Sequence, residues 1–389
     1  MENKIIYLDS HATTPVNQDV LNKMLPFFTE HYGNGNHKAG WKTNSAREEA
    51  RVQVSSLIGA RPTEIIFTSG ATESINLALF GLAKADESNR KHIVTQRTEH
   101  SAVLQCVEEL ENQGFRITIL EVDSVGRIDL EELEKVVTEE TLIVAIMLVN
   151  NEIGTIQPVK EIGNICRNAG AKFFCDLTQG IGWHPIDVDK MKIDLGAMSS
   201  HKIYGPKGVG VLYVRRLHPK TIIKSTVFGG GQERGIRPGT SNIPAIVGIG
   251  KACEMLGLNS EKNTNRIRSM RDRLQEIIFT SIENVKLNGC PNHRHPGNLN
   301  LAIPNVSGED LIGALPNFIF STGSACTSGS AKPSHVISSL GVDGATLKNA
   351  FRFGISKNNT MEEIEYVGKR VVEITKKLQT KRRTIPLVH

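Results

Sequence analysis

The segment Ser199–Gly210, SSHKIYGPKGVG, sets Lys202 where an apolar run stops and glycines let the backbone turn. A lysine at a strand tip inside a concave site can form a Schiff base with a carbonyl compound. On an open hairpin loop the same lysine would be an ordinary solvated side chain. Three other segments weigh on that choice. Cys175-Asp176 closes an apolar stretch upstream, and a carboxylate there would keep a pyridinium nitrogen protonated and make its ring an electron sink. Gly70-Ala71-Thr72 stands between an apolar run and a helical one, so its backbone N–H groups and the Thr72 hydroxyl form a phosphate cradle. Thr98-Glu99-His100 falls at a similar junction, where His100 could stack on a flat ring and move protons. Taken singly, each is also a cap or a turn, and capping alone accounts for Thr72 and Ser101. Taken together, all are expected at strand tips on one edge of one sheet.

Cys326 lies in STGSACTSGS, residues 321–330, a run of small residues expected to pack poorly and to move. Burial is the usual state of a cysteine, and it is assigned to Cys106, Cys166, Cys175, Cys253 and Cys290, which lie mostly in apolar segments. Cys290-Pro-Asn-His293-Arg-His295 hints at metal ligands but lacks a fourth donor and the usual spacing, so no metal is expected. The run GGGQERG lacks the GK[ST] ending of a phosphate-binding loop, so nucleotide binding is set aside.

The elements that must hold these residues alternate from about residue 45 to 216. Strands are expected at 64–67, 92–95, 116–122, 142–149, 172–176, 194–199 and 210–214. Helices are expected from Ser45 to Gly59, after SGATES to Leu82, from Ser101 to Asn112 and from Val159 to Asn168. That rhythm predicts an α/β fold with a mostly parallel sheet flanked by helices, whose ligand lies beyond the carboxyl ends of the strands. After about residue 250 the pattern changes to helices interleaved with strands at 298–303, 318–321 and 350–355, a smaller α+β unit. The expected division is a large domain over 16–250 and a small one formed by 1–15 with 251–389. The strand Ile5–Leu8 could pack with either part.

The bulk numbers are ordinary. The chain has 389 residues, 22% of them charged, and a net charge of +5. Much of the positive excess sits in the last residues, at Lys376, Lys377, Lys381, Arg382 and Arg383; a solvated helix end explains it, and direct nucleic-acid binding is not expected. The scattered cysteines, the absence of a signal-peptide pattern and the shortness of the apolar runs lead to the expectation of a cytoplasmic protein with no membrane partner.

The segments YLDSHATTP, FTSGATESINLALFG, TEHSAVL, VNNEIGTIQP, HKIYGPKGVGVLYVRR, FGGGQERGIRPGT and STGSACTSGSAKPS, in this order from residue 7 onward, resemble the cysteine desulfurases of the NifS/IscS type, in the class-V aminotransferase family. The resemblance implies a fold type I enzyme that uses pyridoxal 5'-phosphate and releases sulfur from L-cysteine, giving L-alanine and a persulfide on Cys326. Lys202 would carry the cofactor, Asp176 would pair with its pyridine nitrogen, Gln179 with its phenolic oxygen, and His100 would stack on the ring. Ala71, Thr72, Ser199 and His201 would hold the phosphate. Thr240 would reach the phosphate of the partner subunit, so a homodimer is implied. Asn151 and Arg352 would hold the substrate carboxylate, for which a planar guanidinium suits well. A moving Cys326 would meet the cofactor and then pass sulfur to an acceptor protein of unknown identity, for iron–sulfur assembly, tRNA thiolation or DNA phosphorothioation.

Two departures from the pattern stand out. Members usually read GNPSSxH before the first long helix, whereas residues 33–37 here read GNGNH. The longer apolar, acidic tail of housekeeping members is also not expected, since the sequence closes on KRRTIPLVH. A selenocysteine lyase, or an aminotransferase or lyase of the same family, would keep the fold and change the reaction; a plain aminotransferase needs no moving thiol. A non-catalytic docking protein would need none of Lys202, Asp176, His100, Arg352 and Cys326.

Overall fold

The computed structural model describes residues 4–35, 37–322 and 334–384, and Cys326 lies outside the described residues. The side chains of Lys381, Arg382 and Arg383 lie outside them too.

The large sheet is built, in chain order, from β1 Ile65–Thr68, β2 His92–Gln96, β3 Arg116–Leu120, β4 Thr141–Ala145, β5 Lys172–Asp176, β6 Leu195–Ser199 and β7 Gly210–Val214. Across the sheet the order is β1-β7-β6-β5-β4-β2-β3. Strand β7 runs antiparallel to its neighbours β1 and β6. The remaining pairs are parallel. Consecutive residues feed opposite faces, as the pleat requires: Val94, Val144 and Phe173 enter one core, Ile93, Ile143 and Phe174 the other. Both faces are covered, which is why the inner strands read as unbroken apolar runs.

Strands β5 and β7 and the helices Ser101–Asn112 and Val159–Asn168 hold their expected bounds. The run expected as one strand over 142–149 pairs as β4 only to Ala145. It nevertheless continues beside β5, because the Ile146 and Leu148 amides donate to the Phe174 and Asp176 carbonyls. That extension carries Asn150 and Asn151 to the carboxyl edge. The helix expected from Ser45 begins at Lys38. Gly40 reads as a breaker in the sequence, but in the fold it permits a close approach, since a Cβ there would lie 2.0 Å from the Gly35 carbonyl oxygen.

The second sheet has β8 Lys286–Leu287, β9 Asn298–Ala302, β10 Ser321–Thr322 and β11 Ala350–Gly354, antiparallel in the order β10-β11-β9-β8. The single strand expected over 318–321 divides in two. Phe318–Ile319 pairs with the N-terminal strand Ile6–Tyr7, and Ser321–Thr322 pairs with β11. The N-terminal strand therefore belongs with this half, and Ile6 and Leu8 share a core with Leu299, Phe351 and Phe353. One helix, Ile243–Ser281, joins the halves. Its Ala245, Ile249 and Leu256 pack into the large core, its Ile267, Met270, Leu274 and Ile278 into the small one. Residue 250, where the pattern change was expected, falls inside that helix. No helix among the described residues is long and apolar enough to cross a membrane.

Candidate active site

A cavity of about 900 Å³ opens at the carboxyl edge of the parallel strands, between the two halves. It is lined by residues from the ends of β1, β2, β4, β5 and β6 and, opposite them, from the N-terminal segment and the second sheet. Ala71, Thr72, His100, Asn151, Asp176, Gln179, Ser199, His201, Lys202 and Arg352 all border it. Thr240 does not. It is exposed, beside Tyr32, Gly33 and Thr43 in a separate depression. Cys326 lies outside the described residues.

The local structure explains each position. β6 ends at Ser199 and runs into a single tight turn, Ser200–Lys202, which aims the lysine back over the sheet edge. The Lys202 Nζ donates to the carbonyl oxygens of His11 at 2.6 Å and Ala12 at 2.7 Å. Asp176 is the last residue of β5, and its Oδ1 accepts from the Thr178 amide at 2.9 Å, which turns the chain and leaves the carboxylate facing the cavity. Gln179 follows on that turn. His100 caps the helix Ser101–Asn112: its Nδ1 accepts from the Ala102 amide at 3.1 Å. An acceptor Nδ1 puts the ring proton on Nε2. Burial pushes the His100 pKa below the ordinary histidine value; the Asp176 carboxylate opposes this and the Lys202 ammonium adds to it.

The N-terminal segment Asp9–Thr14 is the part that sequence reading assigned no role. It runs as a strap across the site. Asp9 pairs with Arg352, His11 meets Gln179 and Lys202, and the Thr13 hydroxyl bonds the His201 Nδ1 at 3.0 Å. Thr14 closes the strap by donating both its amide and its hydroxyl to the His201 carbonyl. Arg352, on β11, also donates Nη1 to the Asn151 carbonyl at 2.7 Å, so it is the Asn151 backbone that the guanidinium engages. Behind this layer sits Glu99, buried, its Oε1 accepting from the Gln96 side chain at 2.7 Å and from the Met147 amide at 2.6 Å. Burial raises its pKa to about 8. Glu152, buried beside Arg352 and bonded by Ser334, is likewise raised by burial. His201 is pressed down to about 4 by burial and by the lysines 202 and 207. Asp9, His11 and Thr13 stand far from their partners in the chain; their only sequence signal was membership of the YLDSHATTP segment.

The residues present suit pyridoxal phosphate. The helix Ala71–Ala85 starts at Gly70 with no side-chain cap, so its first N–H groups face the cavity beside Thr72, Ser199 and His201. Uncapped helical N–H groups with hydroxyl and imidazole neighbours are a phosphate site. The lysine, the buried carboxylate and the histidine lie beyond them in the same cavity.

Residues 6–367 match the class-V aminotransferase family. The chain is 48% identical over 364 residues to the cysteine desulfurase IscS of Rickettsia africae, covering 93% of this chain and 88% of that one. Among solved structures, one titled a NifS-like protein superposes with a TM-score of 0.89 at 36% identity, covering 96% of this chain and 99% of the other. Another, titled SspA in complex with cysteine, gives 0.81 at 33% identity over 91% of this chain and 99% of its own.

Proposed function

The chain belongs to the class-V aminotransferase family and is a cysteine desulfurase of the NifS/IscS type, and from that premise we propose how its residues divide the work. What supports the division is the meeting, in one cavity, of Lys202, Asp176 and His100 from the large sheet with Arg352 from the small one. Bound pyridoxal phosphate supplies an electron sink that makes the α-proton of L-cysteine removable and weakens the bond from Cβ to sulfur. Lys202 would hold the cofactor, and its amine is placed to take the α-proton of the substrate. Asp176, whose carboxylate borders the cavity, would pair with the pyridine nitrogen and keep it protonated. Ala71, Thr72, Ser199 and His201 would hold the phosphate, Gln179 would donate to the ring oxygen, and His100 would cover the ring.

Arg352 would bind the substrate carboxylate through its planar guanidinium, and Asn151 stands beside it. Cys326 takes the sulfur: its thiolate forms an S–S bond, the bond from Cβ to sulfur breaks, and the carbon skeleton leaves as alanine. His100, with its proton on Nε2, is the proton handler at that step. A nucleophile on an acceptor protein then takes the outer sulfur of the Cys326 persulfide, and the Cys326 thiolate leaves.

We also place Thr240 in a partner's site, across a homodimer interface. In support, Phe228, Tyr32 and Trp41 are 82%, 76% and 64% exposed, apolar rings that a second copy would cover. The five described cysteines are unpaired and buried, in keeping with a reducing, cytoplasmic setting.

The test is incubation with L-cysteine and a thiol reductant, measuring sulfide and alanine, for the wild type, Cys326→Ala and Lys202→Ala. Both variants are expected to lose sulfide release. Full activity in Cys326→Ala would remove the persulfide and leave a simple lyase.

A further inference from the structure

We propose that His11 is a positioning residue for the cofactor: its ring and its carbonyl together fix which end of the Gln179 amide is offered to the ring oxygen of bound pyridoxal phosphate. This rests on the assignment of Gln179 to that oxygen.

The geometry is a two-point clasp. Gln179 Nε2 donates to the His11 carbonyl oxygen at 3.0 Å. A carbonyl only accepts, so the amide nitrogen must stand there, and the amide oxygen must be the atom 3.1 Å from His11 Nδ1. That Nδ1 therefore carries the ring proton and donates it. Both side chains are buried and both line the cavity. The other ring nitrogen, Nε2, has no hydrogen-bond partner among the described residues. The ring packs edge-on against His295, with centroids 4.6 Å apart. Burial above all, and then the neighbouring His295 and Arg352, hold the His11 pKa well below the ordinary value, so the ring is neutral and keeps this tautomer at pH 7.

The consequence follows from counting hydrogen-bonding atoms. The amide has committed its oxygen and one N–H to His11, so what remains for the cavity is the second N–H. A phenolic oxygen carrying negative charge only accepts. The clasp thus presents the matching group and bars the flipped amide, which would turn its own oxygen toward that charge. The carbonyl holds one end; only the imidazole holds the other. Apolar residues at position 11 would leave the amide with a single tether.

The experiment titrates the visible absorption band of the purified holoenzyme with pH, a property read without turnover. A donor to the ring oxygen stabilises the deprotonated form, so removing it moves the midpoint up. Gln179→Ala tests the underlying assignment: its midpoint is expected to rise by about one pH unit, the size of one hydrogen bond to a charged acceptor. His11→Leu is expected to rise in the same direction, His11→Asn to stay near wild type because its amide N–H replaces the Nδ1 donor, and His11→Leu to add nothing in the Gln179→Ala background. An unmoved midpoint in Gln179→Ala overturns the assignment of Gln179 itself. A shift in Gln179→Ala with none in His11→Leu overturns only the role of His11. So does an Asn variant that behaves as Leu does, or a His11→Leu shift that persists undiminished without Gln179.

Discussion

Arg352 Nη2 donates to Asp9 Oδ1 at 2.6 Å, an ion pair that ties the second sheet to a residue 343 positions earlier in the chain. The guanidinium is buried, and its side chain is 4% exposed against 14% for Asp9. Nη2 also reaches the Ser321 hydroxyl at 3.2 Å, and Nη1 the Asn151 carbonyl. The planar fork is thereby held in one orientation.

Asp9→Asn should therefore act on substrate binding more than on turnover. It leaves a buried cation without its counter-charge and loosens the fork. The expected result is a rise of about ten-fold in KM for L-cysteine, worth ~1.4 kcal/mol, with kcat within about three-fold. Steady-state alanine formation measures both. An unchanged KM would mean that Asp9 merely neutralises charge.

The Nδ1 atom of His100 is occupied by the Ala102 amide and burial lowers the ring's pKa, so the ring is neutral with its proton on Nε2 at pH 7. A neutral ring is the form that handles protons. Activity should hold steady as pH falls through 6.5, the ordinary histidine value, and decline only on the acid side of it. A kcat/KM profile from pH 5 to 9 checks this, with His100→Gln losing the acid limb. A limb centred at or above the ordinary value would contradict the assignment.

Much of the large half was legible because it is local. A strand end, a glycine and a cap lie within a few residues of one another, so Gly70–Thr72, His100, Asp176 and Lys202 could all be set on one edge from spacing alone. The strap was not. Asp9 finds Arg352, and His11 finds Gln179, through chain separations of 343 and 168 residues, and hydrophobic period carries no information about such pairs. Glu99 stands beside His100 in TEHS, but its burial comes from strands distant in the chain and leaves no local signal. The helix Lys38–Leu57 begins seven residues before Ser45, and its first turns are tied to the preceding loop, where Thr43 donates its hydroxyl to the Gly33 and Gly40 carbonyls.

Glu99 makes a prediction about stability. Its folded pKa, about 8, lies above its ordinary 4.5. Between those values the folded state holds a proton that the unfolded chain has released, so stability from this group falls as pH rises from 4.5 to 8 and is flat above. Glu99→Gln keeps the acceptor for the Met147 amide and removes the titration. Relative to wild type it should gain stability toward alkaline pH, by at most ~4 kcal/mol at pH 8 and by little near pH 5. Urea unfolding at those two pH values measures the difference. An equal offset at both would show that the carboxyl is ionised in the fold.

The loop that carries Thr240 is anchored by a second buried pair. Glu233 accepts from both terminal nitrogens of Arg51 at 2.9 Å, and its Oε2 also accepts from the Phe67 amide at 2.9 Å. Both side chains are 5% exposed, and the Arg51 guanidinium lies 4.8 Å over the Phe67 ring. Glu233 itself has φ of 43°, left-handed backbone that a non-glycine residue holds only when its surroundings fix it. Glu233→Ala leaves Arg51 with only the exposed Glu48 as counter-charge and leaves the Phe67 amide unpaired, and should cost about 3 kcal/mol. The double replacement Arg51→Met with Glu233→Leu should recover at least half of that, because it removes the stranded charge with its partner. Phe67 stands three residues before Gly70, so Glu233→Ala should also loosen the phosphate cradle, read as weaker retention of the cofactor on dialysis. A single-variant cost below about 1 kcal/mol would place the pair in solvent-screened surroundings and remove it as the anchor of the loop.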